Sequence, residues 1–125
     1  MKSSRQLAAI VFTDIVGYTS LMGGDEQKAM YILNQNRALH KPIIEKFNGK
    51  WIKEIGDGIM ATFPTASDAV LAAIQIQESC KSTFEFQLSV GIHLGEVIYE
   101  NEDVFGHGVN LASRIQSMAS PECIF

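Results

Sequence analysis

The run Leu7-Ala-Ala-Ile-Val-Phe-Thr13 is apolar at nearly every position, which predicts a central strand covered on both faces rather than a half-exposed one. Asp14 ends it, and Ile15-Val16-Gly17 turns the chain toward a short helical piece over Tyr18 to Met22. Gly23-Gly24 breaks that piece, and Asp25 is placed to cap a new helix. Ala29, Ile32, Leu33, Asn36, Leu39, Ile43 and Phe47 then recur at spacings of three and four. This is the signature of a long amphipathic helix with a single polar entry, Asn36, on its apolar face. Pro42 is expected to kink or restart the helix, and Asn48-Gly49 to end it.

From Lys50 the period changes to two. Lys50 to Ile55 and Ile59 to Phe63 read as two strands joined across Gly56-Asp57-Gly58, a β-hairpin. Pro64 closes it, and Thr65 to Lys81 reads as a second helix with Ala69, Val70, Ala73, Ile74 and Gln77 inward. Phe84, Phe86, Leu88, Val90, Ile92 and Leu94 alternate as a long half-buried strand, punctuated by Gly95 and continued by Val97 to Tyr99. An acidic turn, Glu100 to Asp103, leads to a third helix over about Val109 to Met118 with Val109, Ala112 and Ile115 inward. Pro121-Glu-Cys-Ile-Phe125 reads as a strand just beginning, so the domain is expected to be incomplete at its C-terminus. The order βαββαβ predicts an α+β, ferredoxin-like split βαβ antiparallel sheet with helices packed on one face.

Composition narrows the functional classes. With 125 residues, 46% of them hydrophobic and 19% charged, the chain has the length and apolar content of one folded domain. The net charge of −4 and scattered lysines and arginines argue against a nucleic-acid-binding surface. A polyanionic ligand would have to be held by a few local cations or by bound metal. No apolar run approaches a membrane span and no basic start precedes an apolar stretch, so the expectation is a cytoplasmic segment without membrane contact. Cys80 and Cys123 lie far apart in sequence and read as reduced thiols, and the three histidines show no zinc spacing.

Four groups of residues could carry chemistry. Asp14 ends a buried strand, where a carboxylate needs compensation that a hard cation would provide; taken alone it reads rather as a turn or helix-capping aspartate. Asp57 between two glycines is an ordinary turn residue in isolation. In a split βαβ sheet, however, the first strand and the hairpin can lie side by side and bring both carboxylates to one end, where they could hold two metal ions. Asn110 and Arg114, four apart, share a helix face; an amide can orient a sugar and a guanidinium can neutralise a phosphate in a transition state. Lys53 offers a donor and Asp103 an acceptor, which match the ring nitrogen and amino group of adenine. Gly23-Gly-Asp-Glu-Gln27 imitates the GGDEF signature of diguanylate cyclases, but it precedes a long helix and reads as a loop plus cap.

Taken together and in this order, these segments resemble the catalytic domain of class III nucleotidyl cyclases, the adenylyl and guanylyl cyclases. Phe12-Thr-Asp-Ile-Val-Gly-Tyr-Thr-Ser-Leu21 resembles the first metal motif and Lys53-Glu-Ile-Gly-Asp57 the second. Gly91-Ile-His-Leu-Gly95 resembles the central strand, and Asp103-Val-Phe-Gly-His-Gly-Val-Asn-Leu-Ala-Ser-Arg114 the transition-state helix. The resemblance runs from about Arg5 to Phe125. It implies that Asp14, Asp57 and the Ile15 carbonyl bind two divalent ions, Mg²⁺ or Mn²⁺. It further implies that Lys53 and Asp103 read adenine, that Asn110 orients the ribose, and that Arg114 stabilises the phosphoryl transition state. Its activity would be conversion of ATP to cyclic AMP and pyrophosphate at the interface of a head-to-tail homodimer, with a regulatory domain fused in the parent protein. The alternatives are a guanylyl cyclase and a non-catalytic nucleotide-binding or dimerisation module. The family's later triphosphate-binding lysine has no counterpart in this chain.

Overall fold

A computed structural model describes residues 3–125. Its central strand, β1 (Ser3–Ile15), is flanked by antiparallel neighbours on both sides, β3 (Gly58–Phe63) and β4 (Leu88–Glu100). The outer positions go to β2 (Lys50–Ile55) and β5 (Asp103–Phe105), giving the order β2-β3-β1-β4-β5. Ala8 to Thr13 are all buried, as expected of a strand with both faces covered. The strand continues through Asp14, which is therefore inside the ladder opposite Ser89 rather than beyond its end.

Odd positions of β1 (Ala9, Val11, Ile15) face one core with Ile59, Ala61 and Phe63 of β3. Over that core lie α2 (Glu26–Lys46) and α3 (Ala66–Thr83), preceded by the short α1 (Tyr18–Met22). The Asp25 side chain caps α2 by accepting from the Gln27 and Lys28 amides at 2.9 and 3.2 Å. Asn48, with φ 64°, takes the left-handed conformation just beyond its end. Gly49 follows because a Cβ there would overlap the Phe63 ring. The helix is unbroken at Pro42, contrary to the expected restart. Pro42 and Ala38 are both exposed, so water can take the Ala38 carbonyl that the missing amide leaves free.

Four expectations are corrected. On α3 the buried stripe is Ala69, Ala72, Ala73, Ile76 and Cys80, while Val70 and Ile74 are 42% and 41% exposed. Small alanines let the helix backbone approach the sheet, and the bulkier β-branched residues are displaced to the flank. Phe84 and Phe86 lie outside β4. Phe84 is the C-cap of α3 and stacks on Phe86 at 5.3 Å, and β4 runs uninterrupted through Gly95. Its first four residues, Leu88 to Gly91, are all buried because α4 (His107–Met118) covers the side opposite α2 and α3.

The helices thus divide between two faces, not the single face expected from the element order. Beneath α4, Ala8, Ile10 and Phe12 meet Met60, Val97, Val104 and Ala112 in a second, smaller core. A Cβ at Gly91 would overlap the backbone of Gln116, so glycine at this point of β4 is what allows α4 to lie so close. The βαββαβ order itself is observed, and Ile124 adds a parallel bridge to Val90.

Candidate active site

Asp14 and Asp57 meet although 43 positions separate them in sequence. The β1–β3 register pairs Thr13 with Ile59, so the last residues of β1 lie against the first of β3 and the turn that precedes them. That turn is the two-residue connection Gly56-Asp57, closed by the Ile55–Gly58 pair. A positive φ (61°) at the first central residue and not the second fits the type II′ pattern, which asks for glycine there. The Asp57 carboxylate reaches over to β1 and accepts from the Ile15 amide at 3.1 Å.

The two carboxyl groups are close enough to share a hydrogen bond through one proton and to repel each other when both are ionised. Burial first, then that hydrogen bond and the charge of Asp57, push the Asp14 carboxyl up to about 7. A site that makes one of its carboxylates hold a proton near neutrality is short of positive charge, and a divalent cation would supply it. The pair therefore fits a metal. Among the described residues no third His, Cys, Asp or Glu joins it, so further ligands would come from carbonyls such as that of Ile15, from water or from substrate oxygens.

Lys53 and Asp103 also come together, by a different route. They belong to the two edge strands, β2 and β5, and the sheet curls enough for Lys53 Nζ to donate to Asp103 Oδ2 at 3.0 Å. Asp103 is set by the β4–β5 turn, where Asn101 and Glu102 both take positive φ (53° and 63°), a type I′ arrangement built without glycine. Its Oδ1 accepts from the Val104 amide at 2.7 Å. The Lys53 hydrogen bond, with help from that amide, holds the Asp103 carboxyl below the ordinary carboxylate range.

Asn110 and Arg114 are exposed on α4, one turn apart. Among the described residues neither side chain makes a hydrogen bond or ion pair, so both are free for an external ligand. The helix beneath them is anchored by Gln116, whose amide donates to Ser89 Oγ at 2.8 Å. Thus the site residues fall into a carboxylate pair, a Lys–Asp pair and a free Asn/Arg face.

The sequence reading missed a buried polar chain behind the carboxylates. His40, fully buried, sits one turn from Asn36 on α2. Its Nδ1 faces the Asn36 carbonyl at 2.8 Å and must donate to it, which leaves Nε2 to accept from the Thr13 hydroxyl at 2.8 Å. Burial keeps this imidazole neutral, lowering it to about 4. On the next position Arg37 clasps both carboxylate oxygens of Glu54, at 2.9 and 2.8 Å. The available signal was helical spacing: His40 lies at i+4 from the one polar residue on an apolar face.

The profile of a family described as the adenylate and guanylate cyclase catalytic domain matches residues 1–125. A Rhizobium meliloti protein provisionally named adenylate cyclase 3 is 34% identical over 94% of this chain, which corresponds to 21% of that protein. An adenylate cyclase of Streptomyces coelicolor is 29% identical over 93% of the chain and 31% of its own length. The chain thus spans between about a fifth and a third of these curated relatives. The crystal structure of an adenylate/guanylate cyclase/hydrolase from Silicibacter pomeroyi superposes with a TM-score of 0.89 at 32% identity, covering 98% of this chain and 76% of that one. In sequence and in fold alike, the chain belongs to the adenylate and guanylate cyclase catalytic domain family.

Proposed function

We propose that this chain is an adenylate cyclase domain that converts ATP to 3′,5′-cyclic AMP and pyrophosphate. The observation that carries the reading is the meeting of Asp14 and Asp57, with Asp14 pushed up to about 7. Divalent cations, Mg²⁺ or Mn²⁺, held by these two carboxylates and the Ile15 carbonyl would acidify the ribose hydroxyl and balance the charge of the departing pyrophosphate.

In the reaction the ribose 3′ oxygen attacks the α-phosphorus in line. The bond to the oxygen bridging the α- and β-phosphates breaks, pyrophosphate leaves, and the hydroxyl proton passes to solvent. Arg114 places its fork on the phosphoryl oxygens as charge builds there, and Asn110 holds the ribose so that its hydroxyl is aligned. Lys53 donates to the adenine ring nitrogen and Asp103 accepts from the adenine amino group. Their 3.0 Å contact supports a shared role, because it sets a donor and an acceptor side by side.

The two sets belong to one active site across a head-to-tail homodimer. Asp14 and Asp57 of one protomer face Lys53, Asp103, Asn110 and Arg114 of the partner subunit. The exposure and free hydrogen-bonding capacity of Asn110 and Arg114 support this division. We place the domain in the cytoplasm; among the described residues no helix is long and apolar enough to cross a membrane. A regulatory domain fused in the parent protein fits the short share of the relatives that this chain spans.

The test is incubation with equimolar ATP and GTP plus Mn²⁺, with the cyclic products identified by mass spectrometry. Cyclic AMP is expected. Cyclic GMP would keep the reaction and overturn the assignment of Lys53 and Asp103, and no product from a dimeric, metal-loaded protein would favour a non-catalytic module.

A further inference from the structure

Asn36 stands where folding alone would place a leucine. It lies on the apolar face of α2 between Ile32 and Leu39, one turn before His40 and two before Ile43, and it is 1% exposed. Its amide nitrogen donates over a long 3.5 Å to the Asp57 carbonyl, and its amide oxygen, fully buried, has no partner among the described residues. A buried acceptor left without a donor is destabilising, because it has given up water for nothing. An apolar side chain of the same shape would remove that cost and join the surrounding core. The stability of the fold therefore does not account for this amide.

What the amide touches does. The Asp57 carbonyl belongs to the two-residue turn that presents one of the paired carboxylates. The same helix turn is registered against the other. The Asn36 carbonyl accepts from His40, and His40 accepts from Thr13, the residue before Asp14 on β1. Helix α2 thus grips β1 beside Asp14 and the hairpin at Asp57 through a continuous polar chain. Arg37, clasping Glu54 on β2, adds a third hold one residue further along. The separation of the two carboxylates is measured against one rigid helix.

We propose that Asn36 is a positioning residue of the metal site, holding the Asp57 turn at the distance from Asp14 that a shared divalent ion requires. This rests on the reading of Asp14 and Asp57 as metal ligands. Groups that orient metal ligands commonly change affinity by about 10- to 100-fold when removed.

The test is Mn²⁺ titration of the whole protein in the absence of nucleotide, for the unmodified chain, Asn36→Leu and Asp57→Asn, with folding checked by circular dichroism. Asn36→Leu is expected to melt no lower than the unmodified protein and to bind Mn²⁺ about tenfold more weakly. A folded Asn36→Leu that binds Mn²⁺ with unchanged affinity, while Asp57→Asn loses it, overturns the positioning role and leaves the metal reading standing. Unchanged affinity in Asp57→Asn overturns both. Should Asn36→Leu fail to fold, Asn36→Ala, which removes the same amide without filling the space, is read by the same criterion.

Discussion

Asp14 and Asp103 are both carboxylates on strands of one sheet, yet their surroundings drive them in opposite directions. Asp14 is half-buried beside a second carboxylate and is pushed up to about 7. Asp103 is solvated, meets a lysine and a backbone amide, and is held below its ordinary range. One site lacks positive charge and the other has already neutralised itself. The first stores unfavourable electrostatics that a cation would release. The second is an exposed ion pair of the kind typically worth about 0–1 kcal/mol, so the base proposed to bind there would open it at little cost and take over its donor and acceptor. On the proposed assignment, chemistry and recognition would be built at different energetic cost: unfavourable charge where a cation is to be held, a near-neutral contact where a base is to be read.

The comparison breaks first at Asp57. Asp57→Ala is expected to abolish metal-dependent cyclic-nucleotide formation while the protein stays folded, because one carboxylate cannot hold what two were placed to hold. Normal turnover in a folded Asp57→Ala protein would end the two-carboxylate scheme. Next in size is Arg114→Ala. Arg114 is exposed and free of partners on α4, so its removal should leave folding and nucleotide KM nearly unchanged while kcat falls on the order of 100-fold, as for other transition-state donors. A rise in KM with kcat intact would make it a ground-state contact instead.

A third effect concerns stability and its sign. The Asp14 carboxyl binds its proton more tightly folded (about 7) than unfolded (near 3.8). The metal-free protein therefore loses stability as pH rises from about 4 to about 7 and does not regain it above. Asp57→Asn removes the repulsive charge but not the burial, which is the larger cause, so it should recover only part of the loss. With solvent still reaching the pair, the gain at pH 8 relative to pH 5 should be on the order of 1 kcal/mol in denaturant melts. A variant that is inactive yet more stable at pH 8 would locate the strain in the carboxylate pair. An unchanged pH profile would remove Asp57 from it.

The elements were legible where periodicity was clean and the candidate site where residue types were distinctive. The Gly56-Asp57-Gly58 turn between two short strands and the three-four spacing of α2 each point to one structure, and both formed. On α3 the run from Ala66 to Ile74 is apolar or small at every position but Asp68, so periodicity alone does not choose a face; it points Val70 and Ile74 inward, where the fold buries Ala72 and Ile76. The covering of the second face by α4 depends on Gly91 opposite Gln116, a contact between elements that neither segment reveals by itself. Asp14 and Asp57 could be brought together on paper from topology. Lys53 and Asp103 sit on opposite sheet edges, and only the curl of the whole sheet joins them. Asn36 and His40 were visible as polar residues at helical spacing, but their partners lie on other elements.

The change that should disturb the fold least is also the most selective. Lys53→Glu with Asp103→Cys exchanges the donor and the acceptor proposed to face the base. Lys53→Glu alone would set two carboxylates about where a 3.0 Å ion pair now stands, so the single variant should be the less stable of the two. The double variant relieves that repulsion and forfeits only an exposed pair, keeping stability within about 1 kcal/mol of the unmodified protein. Hydrogen bonds to charged groups contribute about 1.5–3 kcal/mol each, so the ratio of kcat/KM for ATP over GTP should fall at least tenfold while metal dependence is untouched. An unchanged ratio would mean that the Lys53–Asp103 pair is only a clasp between the edges of the sheet. In that event the double variant should lose stability rather than selectivity, because the contact would then be closing the curl of β2 toward β5 and nothing else.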